Sequence, residues 1–583
     1  MRSSGLRPLL ALAAIGLAAA ALAPAAAAEV PAKAGEPGSP ATSPSAYATF
    51  GRTLPGRARL MVTFLDRPSA AVVARRLAKV GEPAPLLPEA GIWIVEPSRL
   101  GGARDRALGA PLVAGVEWSL ARSAGARPRP SPPDPLPVAP DITDPLYEPA
   151  VQWGLFRGPT WRPELAALSP RPRIAILDTG IDMGHEEWAA EPGALVAPRS
   201  TVRESSDVAD WSTTGHGTHV AGIAAAPANG IGVVGVAPAR AGSAEVIPVQ
   251  ITDPVGNSDD ESMIRGIRWA VRNGARVINI SSGGEGYTRA FRDTVYWATG
   301  RGALIVAAVG NEGDSLNTLN YPAAFPKVVG VGAQCDGEVS VDCPEPFGAA
   351  LFSNHNRSVD VIAPGVEVVS TVPVTVEDDG QASGYASKTG TSMAAPYVSG
   401  VAALIQAANG SRLSPYQVLR QLVNTATDTG RRGLDRQSGY GVVNPRAAVT
   451  LRAPADDPDE VNDDIKFLGD GQRAKEREPL LEIEAAIDRY DDREDVYPVV
   501  LEKGERVAVT LRHARGQLRL YLFRPGTSTI SDVGPNLRRN VVRYADSRGV
   551  KRVQMRAPRS GRYFVNVYAL RGSTDYTLTV ERS

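Results

Sequence analysis

With 583 residues the chain is too long for one hydrophobic core, so two or three folded units with processing segments are expected. Its 63 Lys and Arg are balanced by 63 Asp and Glu, and this zero formal charge leaves no whole-chain case for nucleic acid or an anionic membrane as partner.

Arg2 and Arg7 precede an apolar run over 9–22, followed by Pro24 and an Ala-rich stretch ending at Ala28. This is the pattern of a signal peptide over residues 1–28, removed on export. A retained anchor is the alternative, although the run is shorter than the ~20 residues a span needs. No later segment is apolar enough to cross a bilayer, so a secreted product without a membrane span is expected. Residues 59–121 form a small mixed unit, with strand-like runs at 60–65, 91–95 and 113–118 and a helical composition over 70–80. The proline-rich run 127–140 can form neither helix nor sheet, and 122–140 is expected to be an exposed, cleavable linker.

Over 141–452 apolar runs without alternation, at 174–177, 246–250, 277–280, 303–308 and 328–331, alternate with helical stretches at 217–226, 258–273, 287–300 and 392–408. Strands of that kind belong to a parallel sheet covered on both faces, an α/β layered core. Cys335 and Cys343 lie close together in an exported chain, which suits a local disulfide or a pair of free thiols. Residues 453–494 are dominated by charge and read as a solvated linker, too polar to share a core with either neighbour. From 495 to 583 Val507, Val509 and Leu511, then Leu518, Leu520 and Leu522, then Tyr563, Val565 and Val567, and finally Tyr576, Leu578 and Val580 alternate with other residues. Such strands between Gly turns predict a small antiparallel β-sandwich, separable from the unit before it.

Three segments each place one reactive side chain at a strand end or helix start: IAILDTGID with Asp178, GHGTHVAG with His216, and GTSMAAP with Ser392. A hydroxyl, an imidazole to take its proton and a carboxylate to orient the imidazole are what nucleophilic catalysis requires. His219, one turn from His216, could be imagined as half of a zinc pair, but no Glu intervenes and no third ligand is evident, so a structural role is expected. An esterase of the α/β-hydrolase type would need Gly-x-Ser-x-Gly, which Ser392 lacks. A binding protein built on an inactive enzyme would lack one of these three groups, and none is missing.

In these motifs and their order, residues 141–452 resemble the subtilisin family. The resemblance implies a serine endopeptidase acting on proteins through an acyl-enzyme on Ser392, with His216 as general base and Asp178 orienting it. Asp182 is then a turn or substrate-rim residue. In VAAVGNEG (306–313) Asn311 matches the side-chain donor of the oxyanion hole, while Val309 stands where a smaller Ala is commoner and Glu312 is either a rim group favouring basic residues or a surface carboxylate. Residues 280–284, with Ser281, Ser282 and Gly283, match the strand that pairs with substrate, 253–258 the strand opposite, and Gly310 the adjoining pocket. Glu187 and Asn229 stand where the family often binds a structural calcium, with Glu in place of the commoner Asp. By its position the 59–121 unit resembles the subtilisin propeptide, an inhibitor and folding chaperone, an unrelated N-terminal domain being the alternative. The C-terminal unit, with Asp495-Val-Tyr497 and APRSGRY at 557–563, resembles the prepeptidase C-terminal domain of secreted bacterial proteases. A monomer is expected, with protein substrates and its own propeptide as partners.

Overall fold

The computed structural model describes residues 59–583 apart from 98–102, 111, 119–120, 125–141, 157–160, 169, 241, 243, 377–382, 455, 458, 469–474, 489–491, 514–515, 531–538, 547–549 and 572. The expected signal segment 1–28 and the greater part of the expected linker, 125–140, lie outside the described residues.

In the N-terminal unit the order strand, helix, strand, strand, helix, strand builds a four-stranded antiparallel sheet. Its strands lie in the order Gly81–Leu87, Ile92–Pro97, Leu60–Phe64, Val113–Trp118. Successive strand residues point to opposite faces. Leu60, Val62, Phe64, Trp93 and Val95 therefore form one core with residues of the helices Ala70–Leu77 and Ala103–Leu108. Met61, Ile92 and Ile94 take the other side and enter a second core that belongs to the next unit.

That next unit is built on a seven-stranded parallel sheet, ordered Val361–Pro364, Val328–Gln334, Leu304–Ala308, Ala275–Ile280, Arg173–Asp178, Val246–Gln250, Arg199–Ser200. Its strands are apolar on both faces because both are covered. Ile174, Ile176, Val277 and Val306 pack with the helices His216–Ala225 and Thr391–Ala408. Ala175, Leu177, Ile278 and Ile305 pack with the helices Asp260–Arg272 and Arg289–Thr299, and through them with the underside of the N-terminal sheet. Cys335 and Cys343 are joined in a disulfide, with an S–S distance of 2.04 Å. No helix among the described residues is long and apolar enough to cross a membrane.

Two four-stranded sheets close the chain. One holds Leu480–Asp488, Ser573–Arg582, Arg506–His513 and Lys551–Arg556, the other Glu494–Leu501, Gly561–Arg571, Gln517–Phe523 and Val541–Ala545, with antiparallel neighbours throughout. The alternating apolar residues predicted for these strands all lie in the core between them.

The segment 453–494 departs from the solvated linker that its charge suggested. Its residues 480–488 are a sandwich strand, and Asp457, Asn462, Asp463 and Asp464 are buried. Val461 joins the core beside the parallel sheet, where Phe467 packs against it. Several of these charges find partners in the unit built on the parallel sheet. Lys466 pairs with Asp293, which Arg292 also meets at 2.8 Å. Lys327 lies 2.9 Å from Glu460 and 3.2 Å from Asp492. Burial acts to raise the Asp293 carboxyl, but Lys466, Arg292 and Arg289 together hold it down at about 2.

These contacts make the sandwich part of one cooperative structure, and calorimetry of the full chain should show the two units melting together. Lys466→Met should cost about 1–3 kcal/mol in denaturant unfolding, less than the roughly 3–5 kcal/mol of a fully stranded charge, because two arginines remain beside Asp293. A carboxyl held down in the folded state stabilises at pH above its unfolded value and ceases to do so as the pH falls through its folded one. The difference between Lys466→Met and wild type should therefore shrink between about pH 4 and pH 2.

Candidate active site

The strand Arg173–Asp178 ends on Asp178, and the helix His216–Ala225 begins on His216. Gly215 makes the turn between loop and helix in the left-handed region at φ +61°, where an added Cβ would lie 2.4 Å from Pro373. Asp178 Oδ1 stands 2.6 Å from His216 Nδ1 and also accepts the Thr179 N–H at 2.8 Å. Both side chains are buried. With Nδ1 donating to the carboxylate, the neutral ring presents Nε2 as an acceptor, and that atom is buried without a hydrogen-bond partner.

Asp210, six residues before His216, holds this pair in place. It accepts from Thr179 Oγ1 at 2.9 Å, Ser212 Oγ at 2.6 Å, and the N–H and hydroxyl of Thr218 at 2.9 and 2.8 Å. It thereby ties the residue after Asp178 to the helix that carries His216. Gln250 joins the same frame by donating to Thr179 O at 2.8 Å. Neither residue stood out in the sequence, because each acts through contacts distant along the chain.

Ser392 lies in the first turn of the helix Thr391–Ala408. Four residues on is Pro396, which has no N–H to give to the Ser392 carbonyl. Ser281 supplies the missing donor: its Oγ gives to Ser392 O at 2.8 Å, while Ser392 Oγ gives to Ser281 O at 3.0 Å. Asn279 Nδ2 in turn donates to Ser281 Oγ at 3.0 Å, and Ser399 Oγ to Asn279 Oδ1 at 3.0 Å. The proline thus leaves a carbonyl that Ser281 satisfies, and this reciprocal pair sets the serine against the strand end.

Asn311 follows the strand Leu304–Ala308, and its Oδ1 accepts the N–H and the hydroxyl of Thr391, both at 2.9 Å. With the oxygen so used, what the amide can offer a ligand beside Ser392 is its Nδ2 donor. Gly310 sits at φ +103° with Asn320 Nδ2 only 1.8 Å from where a Cβ would be. The exposed Glu312 has its Oε2 3.2 Å from the amides of both Asn320 and Asn354.

The two expected substrate strands are brought together around a segment of the chain itself. The backbone of Ala121–Ala124 runs antiparallel to Ser282–Gly283, with Ala124 opposite Ser282 and Ser123 opposite Gly283. On its other side Ala121, Arg122 and Ser123 face Asp259, Ser258 and Asn257. Residues 122–124, expected at the start of the linker, are therefore strand.

His219 is fully buried, with Nε2 3.0 Å from Ala386 O, and burial pushes its pKa well below the usual value. It is a neutral core histidine. Asp182 caps a turn, accepting from Gly184 N at 3.0 Å. Glu187 and Asn229 meet, since Asn229 Nδ2 donates to Glu187 O at 3.1 Å. Glu187 Oε1 accepts from Val233 N at 2.8 Å, whereas Oε2 is buried without a partner. Burial, opposed by the Val233 N–H and reinforced by Asp144, pushes this carboxyl up to about 8. A hard cation would fit these residues, because it would supply what Oε2 lacks.

Residues 170–441 match the model of the subtilase family, Peptidase_S8. Over 277 residues, 48% of this chain, the sequence is 38% identical to M-protease of Shouchella clausii (strain KSM-K16), covering 64% of that protein. The same 38% identity holds for Subtilisin Savinase of Lederbergia lenta, of which 90% is covered. Subtilisin E of Bacillus subtilis (strain 168) is 37% identical over 279 residues, which cover 65% of it. Among solved structures, fervidolysin from Fervidobacterium pennivorans, described as a keratinolytic enzyme related to subtilisin, superposes with a TM-score of 0.55. It covers 88% of this chain and 71% of its own at 24% identity, a likeness of fold.

Ser281→Ala should strand the Ser392 carbonyl, at a cost of about 1–3 kcal/mol for a buried acceptor. Steady-state kinetics on a short peptide should show kcat falling by roughly tenfold or more with KM little changed. Adding Pro396→Ala restores a helical N–H to that carbonyl and should recover part of the loss. No recovery would separate the effect of Ser281 from the carbonyl.

Proposed function

The chain belongs to the subtilase family of serine endopeptidases, and from that premise we propose that it is a secreted endopeptidase that cleaves proteins through an acyl-enzyme on Ser392. The observation that supports the reading is the buried Asp178–His216 pair, 2.6 Å apart, whose helix shares one core with the helix that bears Ser392 in its first turn. In this mechanism the Ser392 hydroxyl turns from the Ser281 carbonyl to His216 Nε2, gives up its proton there and attacks the peptide carbonyl. Asp178 keeps the imidazole in the acceptor tautomer and stabilises it once charged. The Asn311 amide and the Ser392 N–H receive the oxyanion. Loss of one such donor costs on the order of a hundred- to a thousandfold in turnover, a magnitude that comes from subtilisin itself. His216 then returns the proton to the leaving amine, and water repeats the sequence on the ester.

Substrate is held by its backbone, as Ala121–Ala124 is held between Ser282–Gly283 and Asn257–Asp259. Such pairing suits extended segments of many sequences. It also supports reading residues 59–121 as a propeptide whose end lies in the substrate cleft. The propeptide reading draws further support from Arg59, 2.7 Å from Glu261, and from Arg268, 3.1 Å from Glu89, at the edges of the shared apolar face. A calcium ion between Glu187 and the 229–233 loop would brace the fold and takes no part in the chemistry.

A fluorophosphonate probe should label the processed protein on Ser392, and failure to label folded protein from which residues 59–124 have been removed would overturn the reading. Ser392→Ala should abolish peptidase activity and leave the chain unprocessed, whereas N-terminal sequencing of the active protein should find a new terminus within a few residues after Ala124. Full processing of Ser392→Ala without another protease would exclude self-cleavage. Asp178→Asn should keep the fold yet lose about four orders of magnitude in kcat, because the wrong His216 tautomer is favoured. Chelation should lower the Tm more than the initial rate, and the Tm of Glu187→Gln should not respond to calcium at that site.

A further inference from the structure

Outside the catalytic centre, the strongest unsolved problem in the molecule is a nest of carboxylates where the segment after Arg452 enters the sandwich. Glu460, Asp463 and Asp492 each bring an oxygen within 4.8 Å of the others. Asp463 and Asp492 are each 3% exposed, Asp457 6% and Asp495 not at all. The positive charge within reach is the ammonium of Lys327, 2.9 Å from Glu460, 3.4 Å from Asp463 and 3.2 Å from Asp492.

One ammonium does not satisfy this nest. Glu460 Oε2, Asp492 Oδ2, Asp457 Oδ2 and Asp495 Oδ1 are buried without a hydrogen-bond partner, and Asp463 Oδ2 faces the ammonium at 3.4 Å without a hydrogen bond. Asn462, between Glu460 and Asp463 in the chain, is wholly buried with both amide atoms in the same condition. Buried carboxylates crowded together must be paired, bound to a metal or neutralised by a proton. The oxygens that converge, from Glu460, Asp463 and Asp492, suit a hard cation, and the flexible oxygen shell of calcium suits a carboxylate cluster better than the tight octahedron of magnesium, which keeps several of its waters. An approach exists as well, since Asp457, Glu460 and Asp492 line a cavity of about 330 Å³ together with Lys327 and Tyr416.

The geometry points to a second divalent-cation site, of the calcium type, formed by Glu460, Asp463 and Asp492 with Asp457, Asn462 and Asp495 in support. Lys327 belongs to the catalytic unit, Glu460 and Asp463 to the connecting segment, and Asp492 to the sandwich, between its strands Leu480–Asp488 and Glu494–Leu501. The cation and the ammonium together neutralise the nest, so the ion fastens the sandwich to the protease. This site is independent of the one proposed at Glu187.

The test uses the full chain carrying Ser392→Ala, which prevents autolysis, and Glu187→Gln, which removes the other site. Titration calorimetry with calcium chloride should find one bound ion per chain, and adding Asp463→Asn with Asp492→Asn should abolish binding. Thermal unfolding gives a readout that a purely structural role would not produce. In chelator those two substitutions relieve repulsion and should raise the Tm, whereas in saturating calcium they remove ligands and should leave the Tm several degrees below that of the parent. Circular dichroism in chelator checks that the variant is folded. Absence of calcium binding in the parent, or a Tm change of the same sign with and without calcium, would overturn the proposal.

Discussion

Parallel pairing in register is the constraint on which the centre of this molecule depends. Ile280 lies opposite Leu177 on one side and Ala307 on the other, so three neighbouring strands end level with one another. Asp178, Ser281 and the turn that leads to Asn311 therefore emerge along one edge of the sheet. The helices that carry His216 and Ser392 cover the same face. Each is anchored to that edge by polar contacts, His216 through Asp178 and Asp210, Ser392 through its exchange of hydrogen bonds with Ser281. Rigid strands supply the spacing and short polar bridges the fine position, which is how a constellation of side chains is kept within a fraction of an ångström.

What could be read from the sequence divides along the same line. Asp178, His216 and Ser392 were legible because each stands in a local run whose glycines and small residues declare a turn or a helix start. Asp210 and Gln250 were not, since a carboxylate that gathers hydrogen bonds from Thr179, Ser212 and Thr218 looks like any loop aspartate until the chain is folded. The same limit explains the misread segment beyond Arg452. Leu481, Ile483 and Ile487 do alternate and are buried, but Glu482 and Glu484 between them made the strand look like part of a charged run. The partners of that charge, Lys327 and Asp293, lie far away in sequence, so composition could not tell a solvated charge from a buried, paired one.

The N-terminal and C-terminal units are attached to the centre by different physics. The N-terminal sheet offers an apolar underside, Met61, Ile92 and Ile94, to the helices Asp260–Arg272 and Arg289–Thr299, with ion pairs at the margin. The sandwich is attached largely by charge, through Lys466 and Arg289 around Asp293 and Asp464 on one side and Lys327 among carboxylates on the other. Association through apolar area needs little directional fit. Association through buried charge is intolerant of the loss of a partner.

That contrast gives the two attachments different responses to temperature. Warming makes the hydration of ions less favourable and so lowers the cost of keeping Asp293 and Lys466 out of water, while the contribution of apolar area levels off. As the medium heats, the balance between the two attachments shifts toward the ionic one. The N-terminal unit is thus the one whose hold gains least, and a hot environment favours its departure while the sandwich stays attached.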